Sequence, residues 1–156
     1  MRDIVAEINE KLDEIERAES VRILHAVESG SRAWGFASPD SDHDVRFVYV
    51  RLKEDYLRLD EPRDVIEWQL DEVLDINGWD LKKALRQFAK GNATLFEWSG
   101  SPIVYRTTED WTKIREVSMQ YFSERLQFII TTELQTARCR DICLGIQSDI
   151  RSTSMR

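Results

Sequence analysis

Apolar residues recur near the N-terminus at the spacing of one helical face. Ile4, Val5, Ile8, Leu12 and Ile15 are separated by acids and a lysine, which predicts an amphipathic helix over residues 3–18. Val21 to Val27 is short and apolar and runs into Ser29-Gly30-Ser31, so it reads as a buried strand. Ser31 to Phe36 reads as a short second helix whose N-terminus would turn backbone N–H groups toward the Gly30-Ser31 turn. Ser38-Pro39-Asp40-Ser41 has turn chemistry, and Asp44 to Val50 forms a second strand. Alternation puts Asp42, Asp44, Arg46, Val48 and Val50 on one face of it and Val45, Phe47 and Tyr49 on the other.

Residues 51–63 are charged and contain Pro62, which predicts an irregular excursion over the surface. Val65 to Gln69 and Val73 to Ile76 are short strands, and Asn77-Gly78 reads as a turn. Leu81, Ala84, Leu85 and Phe88 then mark a strongly amphipathic helix, with Asp80 at its start and Gly91-Asn92 as its stop. A shorter helix follows from Ala93 to Trp98, closed by Gly100-Ser101-Pro102. From Trp111 onward, Ile114, Val117, Tyr121, Leu126 and Ile129 predict one long helix. The order predicts an α+β fold, a small mixed α/β sheet flanked by helices. Residues 1–106 form its core and residues 107–156 a helical C-terminal segment. From Arg138 to Arg156 apolar residues thin into a Ser/Thr/Arg tail expected to fray.

Composition changes this picture little. A chain of 156 residues suffices for one domain with a core. With 42% hydrophobic and 33% charged residues it is of ordinary globular type. No apolar run is long enough to span a bilayer, and the N-terminus carries early acids where a secretory signal would be apolar. A cytoplasmic location without a membrane partner is the expectation. The net charge of −7 argues against a broad basic surface for duplex nucleic acid but allows a local basic groove. Cys139 and Cys143 do not complete a zinc site and read as thiols on a helix.

The candidate chemistry lies between the first two strands. Asp42 and Asp44, at i and i+2, project to one side of a strand with Cα atoms roughly 7 Å apart. Carboxylate oxygens so placed can converge on divalent cations, and magnesium takes such oxygens while leaving positions for phosphates. Gly30 permits close backbone approach, and Ser31 offers a hydroxyl and an N–H to a phosphate oxygen. Either half alone has a bland explanation, a solvated strand end or a helix cap. Joined in this order, they are far more specific.

The pattern Gly30-Ser31-Arg32-Ala33-Trp34-Gly35, then Ser41-Asp42-His43-Asp44-Val45-Arg46, resembles the DNA polymerase beta-type nucleotidyltransferase superfamily. The signature of that superfamily is an apolar strand, Gly-Ser, a spacer and Asp-x-Asp. Downstream, Asp75-Ile76-Asn77-Gly78-Trp79-Asp80-Leu81-Lys82-Lys83-Ala84-Leu85, Glu97-Trp98 and Ser101-Pro102-Ile103-Val104-Tyr105 resemble a narrower branch, the RNA-repair-pathway DNA polymerase beta family. The resemblance covers residues 20–106. Family members continue with more helices, which implies a C-terminal part shorter than theirs.

The resemblance implies in-line transfer of a nucleotide from an NTP to an acceptor hydroxyl, of RNA or of a protein, with Mg2+ (or Mn2+) as cofactor. Asp42 and Asp44 would hold the metal. The third carboxylate of the family is carried over to Asp75, with Glu67 as runner-up, and Asp80 is more economically a helix cap. Gly30 and Ser31 would cradle the β and γ phosphates. Arg46 and Lys83 are the candidate cations for the nucleotide. Arg46 shares the acid face, and a phosphate contact and a salt bridge to Asp44 stay equally open for it. Arg32 is a further phosphate candidate, and Lys82 reads as a solvated helix position. His43 points away from the acids, and His25 is expected to be a satisfied core residue. Trp68, Trp79, Trp98 and Trp111 are expected in the core, and Trp34, beside the turn, is the tryptophan to test for nucleobase contact.

Two other functions fit the same residues. Compact antitoxins of the minimal-nucleotidyltransferase type share Gly-Ser and Asp-x-Asp and adenylylate a partner toxin. A nucleotide-binding module without catalysis is the other. Tyr121, Phe122, Phe128, Ile129 and Ile130 on the long helix offer an apolar face for a homodimer.

Overall fold

Asp3 starts the first helix. Its carboxylate accepts the Ala6 N–H at 3.2 Å, filling one of the unpaired donors of a helix N-terminus. The computed structural model describes residues 3–38, 41–69 and 73–119. In it, α1 (Ile4–Glu19) buries Ile8, Leu12 and Ile15 and ends at Ser20, which is left-handed with φ 52°. After it come β1 (Val21–Ser29), the one-turn α2 (Gly30–Ala33), β2 (His43–Arg51), a 3₁₀ turn at Asp55–Leu57, β3 (Val65–Gln69), β4 (Leu74–Asp80), α3 (Leu81–Ala89), α4 (Ala93–Ser99), β5 (Val104–Thr107) and α5 (Glu109–Met119).

The five strands form one sheet in the order β3-β4-β2-β1-β5. β2 and β4 run parallel, and the other neighbours are antiparallel. Alternation along the strands feeds two cores, one on each side. On the α1 side, Ile8, Leu12 and Ile15 pack with Ala26, Val45, Phe47, Tyr49 and Ile76. On the other side, Val27 and Val48 pack beneath Ala84 and Phe88 of α3, Leu95, Phe96 and Trp98 of α4, and Trp111 of α5. The chain therefore has the mixed α+β architecture expected, a five-stranded sheet between helical layers.

Four expectations need correction. Asn77-Gly78 is not a turn; it lies within β4, hydrogen-bonded between β2 and β3. The reason for the glycine is packing, because a Cβ at Gly78 would be driven into the Phe47 ring. The second helix is shorter than Ser31–Phe36 and closes at Ala33. β5 was not anticipated. It is a short edge strand whose alternation is blurred by exposure of Val104 and Thr107. The helix expected from Trp111 begins two residues earlier. Its continuation through Tyr121, Phe122, Leu126, Phe128, Ile129 and Ile130, the thiols Cys139 and Cys143, and the tail from Arg138 lie outside the described residues. So does the homodimer face. Among the described residues, no helix is long and apolar enough to cross a membrane.

His25 occupies the core as expected but is not fully satisfied there, since its buried Nε2 has no hydrogen-bond partner among the described residues. It is 5% exposed, stacks on Trp111 with ring centroids 4.9 Å apart, and has Nδ1 3.2 Å from the Thr107 hydroxyl. Burial lowers its pKa to about 4; the charge of Arg115 acts in the same direction, against weaker opposing influences from the backbone of Trp98 and Arg106. Unfolding restores an ordinary imidazole near 6.5. Between those values the unfolded chain binds a proton that the folded chain refuses, so stability falls as pH drops from about 6.5 to 4 and the loss levels off below. This group contributes roughly 3 kcal/mol to that fall. Urea unfolding measured across this window should show the decline in the wild type and a flatter profile in His25→Phe. Equal slopes would assign the decline to other groups.

Candidate active site

Parallel pairing of β2 with β4 places Asp44 directly opposite Asp75, and Arg46 opposite Asn77. On the far side of β2, Ser29 faces Asp44. Because side chains of laterally paired residues share a face, Asp44, Arg46 and Asp75 stand together beside the helix-covered core formed by Val27 and Val48. The structure thus unites two of the acids with Arg46.

Arg46 is the centre of this group. Its Nη2 donates to Asp44 Oδ1 at 2.8 Å and to Asp75 Oδ2 at 2.7 Å. Its Nη1 donates to the backbone carbonyls of Asp75, at 3.0 Å, and Val45, at 3.2 Å. The salt bridge expected to Asp44 is present and extends to Asp75. Burial raises the Asp44 pKa; Arg46 opposes this, while the charges of Asp42, Asp75 and Glu28 reinforce it. Asp42 lies just before β2 and is exposed.

Gly30 meets the cluster from the β1 side. Its φ of +64° suits glycine, and a Cβ there would collide with Asp44 Oδ2. The missing side chain thus lets the turn pack directly against the Asp44 carboxylate. Ser31 and Arg32 follow in α2. Arg32 reaches across to the loop before β2, where its Nε donates to the carbonyls of Ser41 at 3.1 Å and Asp42 at 3.0 Å, and its Nη2 also donates to Ser41. Arg32 ties the Gly-Ser turn to the acid-bearing segment. Trp34 is held by its indole N–H, which donates to Glu97 on α4 at 3.0 Å.

Behind the acids lies Glu28, a carboxylate 1% exposed. It accepts from the Asp44 backbone N–H at 2.7 Å, lies 2.9 Å from His43 Nδ1, and accepts from the Tyr105 hydroxyl. The Tyr105 pKa is driven upward by burial and then by this carboxylate. The backbone of Glu28 is anchored too, since its carbonyl accepts from the Ser101 hydroxyl at 2.6 Å and its N–H donates to Ile103 at 3.0 Å. His43 faces away from the acid pair, as expected.

Lys83 is not brought to the cluster. It follows β4, whose other end carries Asp75, and Asp80 lies five residue steps along the strand from Asp75, about 16 Å. Lys83 pairs with Asp64 at 3.1 Å and lies over the Trp79 ring. A cleft of about 320 Å³ opens there, lined by residues such as Tyr56, Arg58, Asp80 and Arg86, but its charges pair across it, with Lys82 2.8 Å from Glu61. Asp80 is the helix cap, accepting from the Lys82 N–H at 2.7 Å and from Tyr56. Glu67 is exposed on β3, opposite Asn77. Among the described residues, no three carboxylates, imidazoles or thiols already converge as a metal cage; Arg46 bridges two of the acids instead.

The model of the RNA repair pathway DNA polymerase beta family matches residues 4–130. The chain belongs to that family. Membership in the RNA repair pathway DNA polymerase beta family points to nucleotidyl-transfer chemistry. A relative is the uncharacterized protein YcgL of Bacillus subtilis (strain 168), 52% identical over 112 residues. That match covers 69% of this chain and 43% of YcgL, so the chain spans less than half the length of this relative. No solved structure matches the chain.

Proposed function

We propose that the chain carries a metal-dependent nucleotidyltransferase site that moves a nucleotide from an NTP to an acceptor hydroxyl of RNA. The observation that carries this is the register of Asp44 against Asp75, with Gly30 packed against Asp44 Oδ2. RNA as acceptor rests on the family description.

The donor set suits a hard divalent cation, because all its atoms are carboxylate oxygens. One feature fits such an ion: a guanidinium already stands between two of the acids, a positive charge held by carboxylate oxygens. Asp42 and Asp44, with Asp75 beside them, would hold Mg2+ or Mn2+. When bound, the ion supplies neutralisation of the triphosphate charge.

The chain's own residues do the rest. Gly30 and Ser31 offer backbone N–H groups and a hydroxyl to the β and γ phosphates. Arg32 holds that turn in place against residues 41–42. Asp75 takes the proton of the acceptor hydroxyl on Oδ1, which has no partner among the described residues, while Arg46 holds Oδ2. The acceptor oxygen forms a bond to the α-phosphorus, the bond to the bridging oxygen breaks, and pyrophosphate leaves. Positioning and charge stabilisation provide most of the rate. Lys83 has no part in this scheme.

The test is incubation of the protein with Mg2+, each radiolabelled NTP, and RNA, tRNA and cell proteins, beside an Asp42→Ala/Asp44→Ala control. Label on RNA in the wild type alone is expected. Label on a protein would replace this reading with that of an antitoxin-type enzyme. Bound NTP without transfer would leave a binding module.

A further inference from the structure

We infer that the nucleotide-free chain takes one divalent cation, at Asp42 and Asp44, because Arg46 occupies the second position with its own charge. This rests on the metal-dependent reading above and narrows it.

Arg46 is pinned by four hydrogen bonds and is 17% exposed. One nitrogen, Nη2, lies between Asp44 Oδ1 and Asp75 Oδ2. A cation bridging those two carboxylates needs that same place. To take it, the ion must expel the guanidinium and leave the carbonyls of Val45 and Asp75 without their donor. That exchange loses charge-assisted bonds and the carbonyl partners together.

Among the described residues, no cation pairs with the other side of Asp44. Its Oδ2 makes no bond to Arg46 and packs closely against the Gly30 backbone, in a side chain 25% exposed. Asp42 is exposed, and its carboxylate has no hydrogen-bond or ion partner among the described residues. Charge leads to the same count. Arg46 already offsets part of the negative charge on Asp44, so a second divalent ion would meet less of it than the first, with no phosphate present to add to it. Asp75 is therefore no ligand in the free chain; Arg46 holds it in readiness.

The test is a Mn2+ titration of the full chain without nucleotide. Loss of the free-ion EPR signal reports binding, and sites filling below about 100 µM are counted. The expected counts are one in the wild type, two in Arg46→Gln, and one again in Arg46→Gln/Asp75→Asn. Two in the wild type, or one in Arg46→Gln, overturns the inference and spares the metal-dependent reading. None in both overturns the two together. Should Arg46→Gln fail to fold by circular dichroism, Asp75→Asn alone decides. It should bind one Mn2+ with affinity within about threefold of the wild type, and a loss above about tenfold would show that Asp75 is a ligand after all.

Discussion

Asp44→Asn should lower nucleotidyl transfer by about a thousand-fold or more while leaving the chain folded. The substitution keeps the shape of the side chain and removes its charge. That charge lies at the junction of the Gly30 turn, Arg46 and Asp75, where field is worth more than in water. Folding loses little by comparison. Burial already disfavours the ionised form of Asp44, so a neutral amide relieves that cost, and Arg46 keeps its bonds to Asp75. Transfer from labelled NTP, read beside thermal unfolding, separates the two effects. Full activity in a folded Asp44→Asn variant would remove the carboxylate from the chemistry.

The largest loss of stability is expected at Glu28, a residue that touches no substrate in the proposed scheme. Glu28→Ala strips a buried acceptor from His43, Tyr105 and the Asp44 N–H at once. Unpaired buried donors near a removed charge cost about 3–5 kcal/mol together. Tyr105→Phe, which removes one of the three donors, should cost about 1–2 kcal/mol. Urea midpoints of the two variants test the ranking. Equal midpoints would show that the network around Glu28 is loosely coupled. Since Glu28 also holds the backbone N–H of Asp44, Glu28→Ala should displace the acid and lower transfer in the fraction that stays folded.

What the sequence disclosed and what it hid follow from range. The helical periods of Ile8, Leu12 and Ile15, and of Ala84 and Phe88, are local, and both helices form where the spacing puts them. The alternation through Asp44, Arg46 and Val48 is local as well and placed Arg46 beside the acids. Asn77-Gly78 misled because its turn preference is a property of the dipeptide, whereas the use of Gly78 is set by Phe47 on another strand. Glu28 escaped notice because its partners lie 15 and 77 residues away. One signal was available: a carboxylate at the end of an otherwise apolar strand needs a partner. Lys83 was grouped with the site because nothing local told which end of β4 it would follow.

β4 alternates buried and half-buried positions along its whole length, with Leu74, Ile76, Gly78 and Asp80 buried and Asp75, Asn77 and Trp79 between them. A slip of one residue against β2 would exchange the two sets. Asp75 would then enter the apolar layer under α1, and Leu74 or Ile76 would replace it beside Asp44. Burying that carboxylate unpaired costs several kcal/mol, and the core would lose Leu74 and Ile76 in the same step. Misaligned chains therefore fail as folds before they can exist as defective enzymes. The oil under the sheet acts as a proofreader for the acids above it.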